Sequence, residues 1–162
     1  MSGGVGGWRG LASPSPDPII QDIEGGEPRP ITPEGNRFGL GQKAVSPDGE
    51  WIAAARVGGP PSLFPVGGGE AQQIPGVEPQ DNFVAWSADG RSIFVSPELE
   101  VPRTVHRINL ATGKRSLWKA LAPADLVGVI SIYSIQISAD EQSYCYSYAR
   151  NISDLYLVKG LR

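Results

Sequence analysis

An all-β chain built from repeated four-stranded antiparallel units is the fold class this sequence predicts. Three observations lead there. The first is a phrase that recurs. It reads Ala44-Val45-Ser46-Pro47-Asp48-Gly49-Glu50-Trp51-Ile52, then Ala85-Trp86-Ser87-Ala88-Asp89-Gly90-Arg91-Ser92-Ile93. A worn third copy reads Gln136-Ile137-Ser138-Ala139-Asp140-Glu141-Gln142-Ser143-Tyr144. The second is the spacing: the serines lie 41 and 51 residues apart. A period of about 40–45 residues is that of a four-stranded propeller blade. The third is composition. With 21 glycines and 15 prolines in 162 residues, the chain suits short strands joined by tight turns.

The elements follow in order. Residues 1–18 are Gly-rich, then Ser/Pro-rich, without periodicity, and read as a disordered lead-in. Ile19 to Ile23 reads as a strand, Glu24-Gly25-Gly26-Glu27 as a hairpin turn and Pro28 to Thr32 as a proline-limited edge strand. Together, residues 19–32 make half a blade. A full blade is expected over 41–74. Gly41 to Val45 is its inner strand, and Ser46-Pro47-Asp48-Gly49 its first turn. There proline presets φ, the aspartate caps local amides and glycine takes the positive φ. Trp51 to Val57, Leu63 to Val66 and Glu70 to Ile74 complete it, with Gly67-Gly68-Gly69 as the last turn.

The next blade, 83–119, repeats the order. Phe83 to Trp86 leads into Ser87-Ala88-Asp89-Gly90, then Ser92 to Ser96, Thr104 to Leu110, the turn Ala111-Thr112-Gly113-Lys114, and Arg115 to Lys119. Ala120 to Val129 reads as an insertion that lengthens the second spacing. An incomplete blade, 131–162, starts with Ser131 to Ile137. Its second strand, Ser143-Tyr144-Cys145-Tyr146-Ser147-Tyr148, alternates with period 2, so Tyr144, Tyr146 and Tyr148 share one face. Asp154 to Val158 reads as a third, buried strand. The expectation is a partial β-propeller of about three blades. Fewer than four blades do not close a ring. The exposed ends of such a stack carry no evident polar cap, so association through open blade edges is expected.

Several function classes drop out. A formal charge of −3 without a Lys/Arg run argues against nucleic acid as a partner. No run of about 18 apolar residues exists, so no membrane insertion is expected. Met1 to Gly10 lacks the basic and apolar regions of a signal peptide. As written, the chain reads as cytoplasmic. Cys145 is the one cysteine, which excludes an internal disulfide and reads as a small buried hydrophobe.

The repeats resemble the PD40 (TolB-like, WD40-like) propeller motif, in which a strand is followed by Ser-Pro/Ala-Asp-Gly and a second strand. Ser46-Pro47-Asp48-Gly49 and Ser87-Ala88-Asp89-Gly90 match it; Ser138-Ala139-Asp140-Glu141 loses the glycine, which implies a turn satisfied differently. The end of the chain, Ser143 to Leu161, resembles the closing segment of bacterial multidomain serine/threonine protein kinases, where a kinase domain precedes such a propeller. Ile20 to Pro28 and Leu110 to Lys114 fit the same setting. The resemblance implies a sensor or scaffold module that binds a protein or small ligand. It also implies an extracytoplasmic position if the chain belongs to a membrane-anchored kinase.

Catalytic chemistry finds no support in the residues. His106-Arg107-Ile108-Asn109 begins like a kinase catalytic loop but carries isoleucine where the base must sit. Gly39-Leu40-Gly41-Gln42-Lys43-Ala44 fits a loose dinucleotide fingerprint, yet Val45-Ser46-Pro47 follows where a helix is needed. No Gly-x-Ser-x-Gly elbow is present for a peptidase. One His, one Cys and scattered carboxylates give no metal set and no cofactor site. Asp48, Asp89 and Asp140 could ring a channel mouth, but repetition at the repeat period favours a cap on each local turn. Trp51 and Trp86 read as core between blades. Ser46, Pro47, Asp48, Gly49, Ser87, Asp89, Gly90, Ser138 and Asp140 are therefore structural turn residues. Tyr144, Tyr146 and Tyr148 are the candidate contact face, packed on a neighbouring blade or left exposed. The competing readings are a propeller portion attached to a serine peptidase and a truncated gene product without a function of its own.

Overall fold

The computed structural model describes residues 19–32, 36–37, 43–56, 59–97 and 100–153. The expected lead-in over 1–18 and the strand Asp154 to Val158 lie outside them. The described residues are all-β, with twelve strands and no helix. Every strand pairing is antiparallel.

A two-stranded ribbon comes first, β1 (Ile19–Ile20) against β2 (Arg29–Pro30). The first four-stranded sheet is a meander of β3 (Asn36–Arg37), β4 (Trp51–Arg56), β5 (Pro61–Pro65) and β6 (Gln72–Gln73). Val45 adds a bridge to Ile52. The second is a meander of β7 (Asp81–Trp86), β8 (Ser92–Pro97), β9 (Arg103–Asn109) and β10 (Arg115–Leu121). The last is the pair β11 (Val129–Ile137) and β12 (Tyr144–Arg150). The expected insertion is thus shorter than read, because β10 runs on to Leu121 and β11 begins at Val129.

Strand alternation decides how the sheets meet. On β8, Ile93 and Val95 face one way and Phe94 the other. All six residues of β8 are buried. Ile93, Val95, Phe83 and Ile108 join Ala53 and Leu63 of the first sheet in one core, with Trp51 and Trp86 packed on it. Phe94, Val84, Val105 and Leu121 join Ile132 and Ile135 of β11 in a second core. The second sheet is therefore buried on both faces, with one neighbour on each side. Full burial of a Phe, Ile or Val side chain contributes about 1.5–3 kcal/mol. The central sheet so supplies the largest share of apolar stabilisation.

Polar groups fasten the same seams. Trp86 Nε1 donates to the Ala44 carbonyl across the first seam (2.9 Å). Arg115 grips the fully buried Asp81 through two hydrogen bonds (2.5 and 3.0 Å). That pair ties β7 to β10, the two outer strands of the second sheet, and Arg115 also donates to the Gly76 carbonyl in the connection from β6 (3.4 Å). Across the second seam, the buried Arg103 donates to Ser96 Oγ (2.8 Å) and to the Ile132 carbonyl (2.6 Å). The outward side of β11 and β12 is open to solvent. Tyr133 pairs with Ser147 there, and Gln136 with Cys145. All four are exposed. The burial expected for Cys145 is accordingly not met, because the inward positions of its strand belong to the tyrosines.

The first seam also forces two glycines. Gly76 (φ +81°) and Gly113 (φ +68°) touch so closely that a Cβ on Gly76 would sit 2.2 Å from the Gly113 carbonyl oxygen. Gly68 (φ +91°) has the same backbone class and nothing within 4 Å. Gly68→Ala should therefore cost only the left-handed backbone term, about 1–2 kcal/mol. Gly76→Ala should cost clearly more, because backbone must move as well. Urea denaturation of the two variants checks this, and equal losses would refute the close approach.

Candidate functional site

The recurring phrase folds the same way three times. Each first serine amide donates to the carbonyl five residues on: Ser46 to Trp51 (2.8 Å), Ser87 to Ser92 (2.9 Å) and Ser138 to Ser143 (2.9 Å). Each serine hydroxyl donates to its own aspartate: Ser46 to Asp48 (2.5 Å), Ser87 to Asp89 (2.6 Å) and Ser138 to Asp140 (2.5 Å). The same hydroxyls accept from the amides of Trp51, Ser92 and Ser143, each at 2.9 Å. Each carboxylate also accepts the amide two residues later, from Glu50, Arg91 and Gln142, each at 3.0 Å. These bonds favour the ionised form. Asp48, Asp89 and Asp140 are all held below their ordinary value of 3.8, chiefly by the serine hydroxyl and next by that amide. Because the folded state binds protons less readily, this stabilisation is present above about pH 3.8. It is lost as pH falls through the lower folded values.

The fourth turn position needs a left-handed backbone. Gly49 (φ +77°) and Gly90 (φ +67°) supply it. Glu141 takes the same conformation (φ +59°). The third turn is therefore not satisfied differently, as the missing glycine suggested. It keeps the backbone and changes the residue, at a cost of about 1–2 kcal/mol. The side chain offsets that cost. Glu141 Oε2 pairs with Arg107 of β9 (2.9 Å), and Oε1 accepts the Ala88 amide of the second turn (3.3 Å). The first and second turns also touch, through the Pro47 ring, 3.6 Å from where a Gly90 Cβ would lie. The three turns thus form one row along one end of the stacked sheets.

Tyr144, Tyr146 and Tyr148 face the second sheet rather than solvent alone. Tyr146 packs on the second core. Tyr144 meets Trp118 of β10 edge-on (5.9 Å), and Trp118 meets Phe94 in the same way (5.2 Å). Tyr144 stacks on Tyr146 (6.4 Å), which lies beside Tyr148 (6.4 Å). Lys119 Nζ lies 4.6 Å from the centre of the Tyr144 ring. Even so, Tyr144 stays 39% and Tyr148 45% exposed. The stripe is a ladder rooted in the core with two rungs open to solvent.

His106 belongs to a structural cluster. Arg115 donates to His106 Nδ1 (3.1 Å), and burial followed by the Arg115 charge pushes the imidazole below its ordinary 6.5. Both effects disfavour the imidazolium beside the Asp81 pair. Among the described residues, no group of three His, Cys, Asp or Glu side chains is placed to hold a metal. None of their helices crosses a membrane, since they include no helix. The bond from Glu141 to the neighbouring turn was not legible in the sequence, because it depends on where the next sheet sits. No model of a known protein family matches the chain, and no curated protein matches it either.

Glu141 yields a direct test. Glu141→Ala keeps the strained backbone and loses both contacts, whereas Glu141→Gly loses the contacts but relieves the strain. The glycine variant should be the more stable by about 1 kcal/mol. Chemical denaturation compares them, and equal midpoints would show that position 141 carries no strain.

Proposed function

We propose that this chain is a non-catalytic binding module, a portion of a PD40/TolB-like β-propeller. In this reading each four-stranded meander is a blade. The single observation that carries it is the central sheet, β7 to β10, buried on both faces by neighbours that repeat its first turn. Serial stacking of one unit by one repeated device is how propellers and other repeat proteins bury a continuous core. Partners would be held where several units contribute side by side. The row of turns is one such place, and the open rungs of the tyrosine ladder are another. Tyrosines of this kind give large contact area at little cost in side-chain entropy.

The kinase setting follows from the resemblance of Ser143 to Leu161 to the end of bacterial serine/threonine kinases. The module would be the sensor or scaffold end of such a protein. Its ligand would be a protein or small molecule met by the turn row.

The coding DNA on both sides tests this. The proposal expects further Ser-Pro/Ala-Asp-Gly phrases in frame upstream, about 40–50 residues apart. It also expects kinase motifs beyond them: a Gly-rich loop, a strand lysine and Asp-Phe-Gly. A Gly-x-Ser-x-Gly domain downstream would replace the kinase setting with a peptidase one. Flanking frames with no such phrase on either side would overturn the propeller reading.

A further inference from the structure

We propose that the groove beside the second turn is a binding site for a phosphate group. It has a volume of about 430 Å³. That is within the range of about 300–1,000 Å³ typical of small-ligand sites. It lies on the side of the second sheet that faces β11 and β12, at the end where the turns form their row. Arg91 enters from the second turn, Arg107 from β9 and Lys114 from the turn between β9 and β10. Three cations converge here on a chain whose formal charge is −3.

Two carboxylates, Asp89 in the lining and Glu141 beside it, offset part of the charge of those cations, and Asp89 acts on both Arg91 and Arg107. Asp89 Oδ1 accepts from Ser87 Oγ (2.6 Å) and the Arg91 amide (3.0 Å). Glu141 is shared between Arg107 (2.9 Å) and the Ala88 amide (3.3 Å). Arg91 and Lys114 have no ion-pair partner among the described residues. Arg107 is oriented by Glu141 and by its stacking over the Phe94 ring, 5.6 Å from the centre.

Neutral donors complete the lining. Asn109 Oδ1 accepts from the Ala111 amide, the Thr112 amide and the Thr112 hydroxyl (3.1, 2.9 and 2.9 Å). That fixes the amide and leaves its NH₂ as donor. Ser92 and Ser116 line the same groove, the Ser116 hydroxyl donating to the Arg107 carbonyl (3.4 Å). A carboxylate ligand carries one charge and two oxygens. A phosphate monoester carries about −1.5 to −2 and three strong acceptor oxygens. Three cations against the one carboxylate of the lining, Asp89, together with the Asn109 amide, match the second set better. Arginine forks recognise such oxygens two at a time. This site stands on its own lining and holds whether or not the chain belongs to a larger ring.

The test is amide NMR of the full chain titrated with inorganic phosphate, O-phosphoserine and acetate, at low and raised salt. The proposal expects saturable shifts of the Arg91, Asn109, Lys114 and Ser116 amides with the two phosphates. Acetate should bind at least tenfold more weakly. The Arg91→Ala/Lys114→Ala variant changes two side chains that carry no ion pair, so it should melt as the parent does and bind phosphate at least tenfold more weakly. Tighter binding of O-phosphoserine than of inorganic phosphate would identify a phosphorylated residue as the natural source. The reverse order would identify free phosphate. Equal binding of acetate, unchanged binding by the double variant, or no saturation below about 10 mM phosphate would overturn the proposal.

Discussion

The bond from a serine hydroxyl to the aspartate two residues later is the constraint on which this structure rests. It occurs three times in the same form. In each case one hydroxyl also takes the amide at, or one residue before, the start of the next strand, and one carboxylate takes the amide just before that. Four polar atoms are so satisfied within a six-residue loop. The turn then sets the register of the first two strands, and register decides which side chains reach each face. On β8 it sends Ile93 and Val95 into one core and Phe94 into the other. The two-sided burial of the central sheet is thus a consequence of local turn chemistry.

Between sheets, the fastenings differ from seam to seam. The first uses a tryptophan N–H to a carbonyl and a glycine–glycine contact, with Arg115 reaching from its pair with Asp81 to the Gly76 carbonyl in the connection. The second uses Arg103 and an aromatic chain from Phe94 through Trp118 to Tyr144. Glu141 adds a link that neither glycine turn makes, since glycine has no side chain to reach the neighbour. Loss of the glycine from the third phrase therefore reads as a trade of backbone ease for a contact between units. Such a trade is reasonable only where the neighbour is fixed in place.

Much of this was legible in the sequence. Ser46, Ser87 and Ser138 marked the turns, and the four strands of the second unit came in the expected order. In the first unit, of the inner strand expected over Gly41 to Val45 the described residues show only a bridge at Val45. Asn36–Arg37, outside the expected blade, is the strand that pairs with β4. The shared face of Tyr144, Tyr146 and Tyr148 came from period 2 alone. The sequence failed where the answer lay in another unit. Cys145 was expected inside because cysteines usually are, yet the tyrosines claim the inner positions of β12. The third turn was expected to differ because Glu141 lacks glycine's freedom, yet Arg107 and Ala88 hold it in place. The groove at Arg91, Arg107 and Lys114 joins residues from three segments and has no motif. Periodicity reports faces within a strand; it does not report which neighbour each face meets.

The most direct measurement is a double-mutant cycle on the central turn, Ser87→Ala and Asp89→Asn, by urea denaturation at neutral pH and again in acid. If the hydroxyl–carboxylate bond closes the turn, the two losses will fall short of additivity by about 0.5 kcal/mol or more at neutral pH. That coupling will shrink as Asp89 takes up a proton below its lowered folded value. Simple additivity at neutral pH would mean that the serine and the aspartate act independently, and the repeated turn would lose its place as the organising constraint.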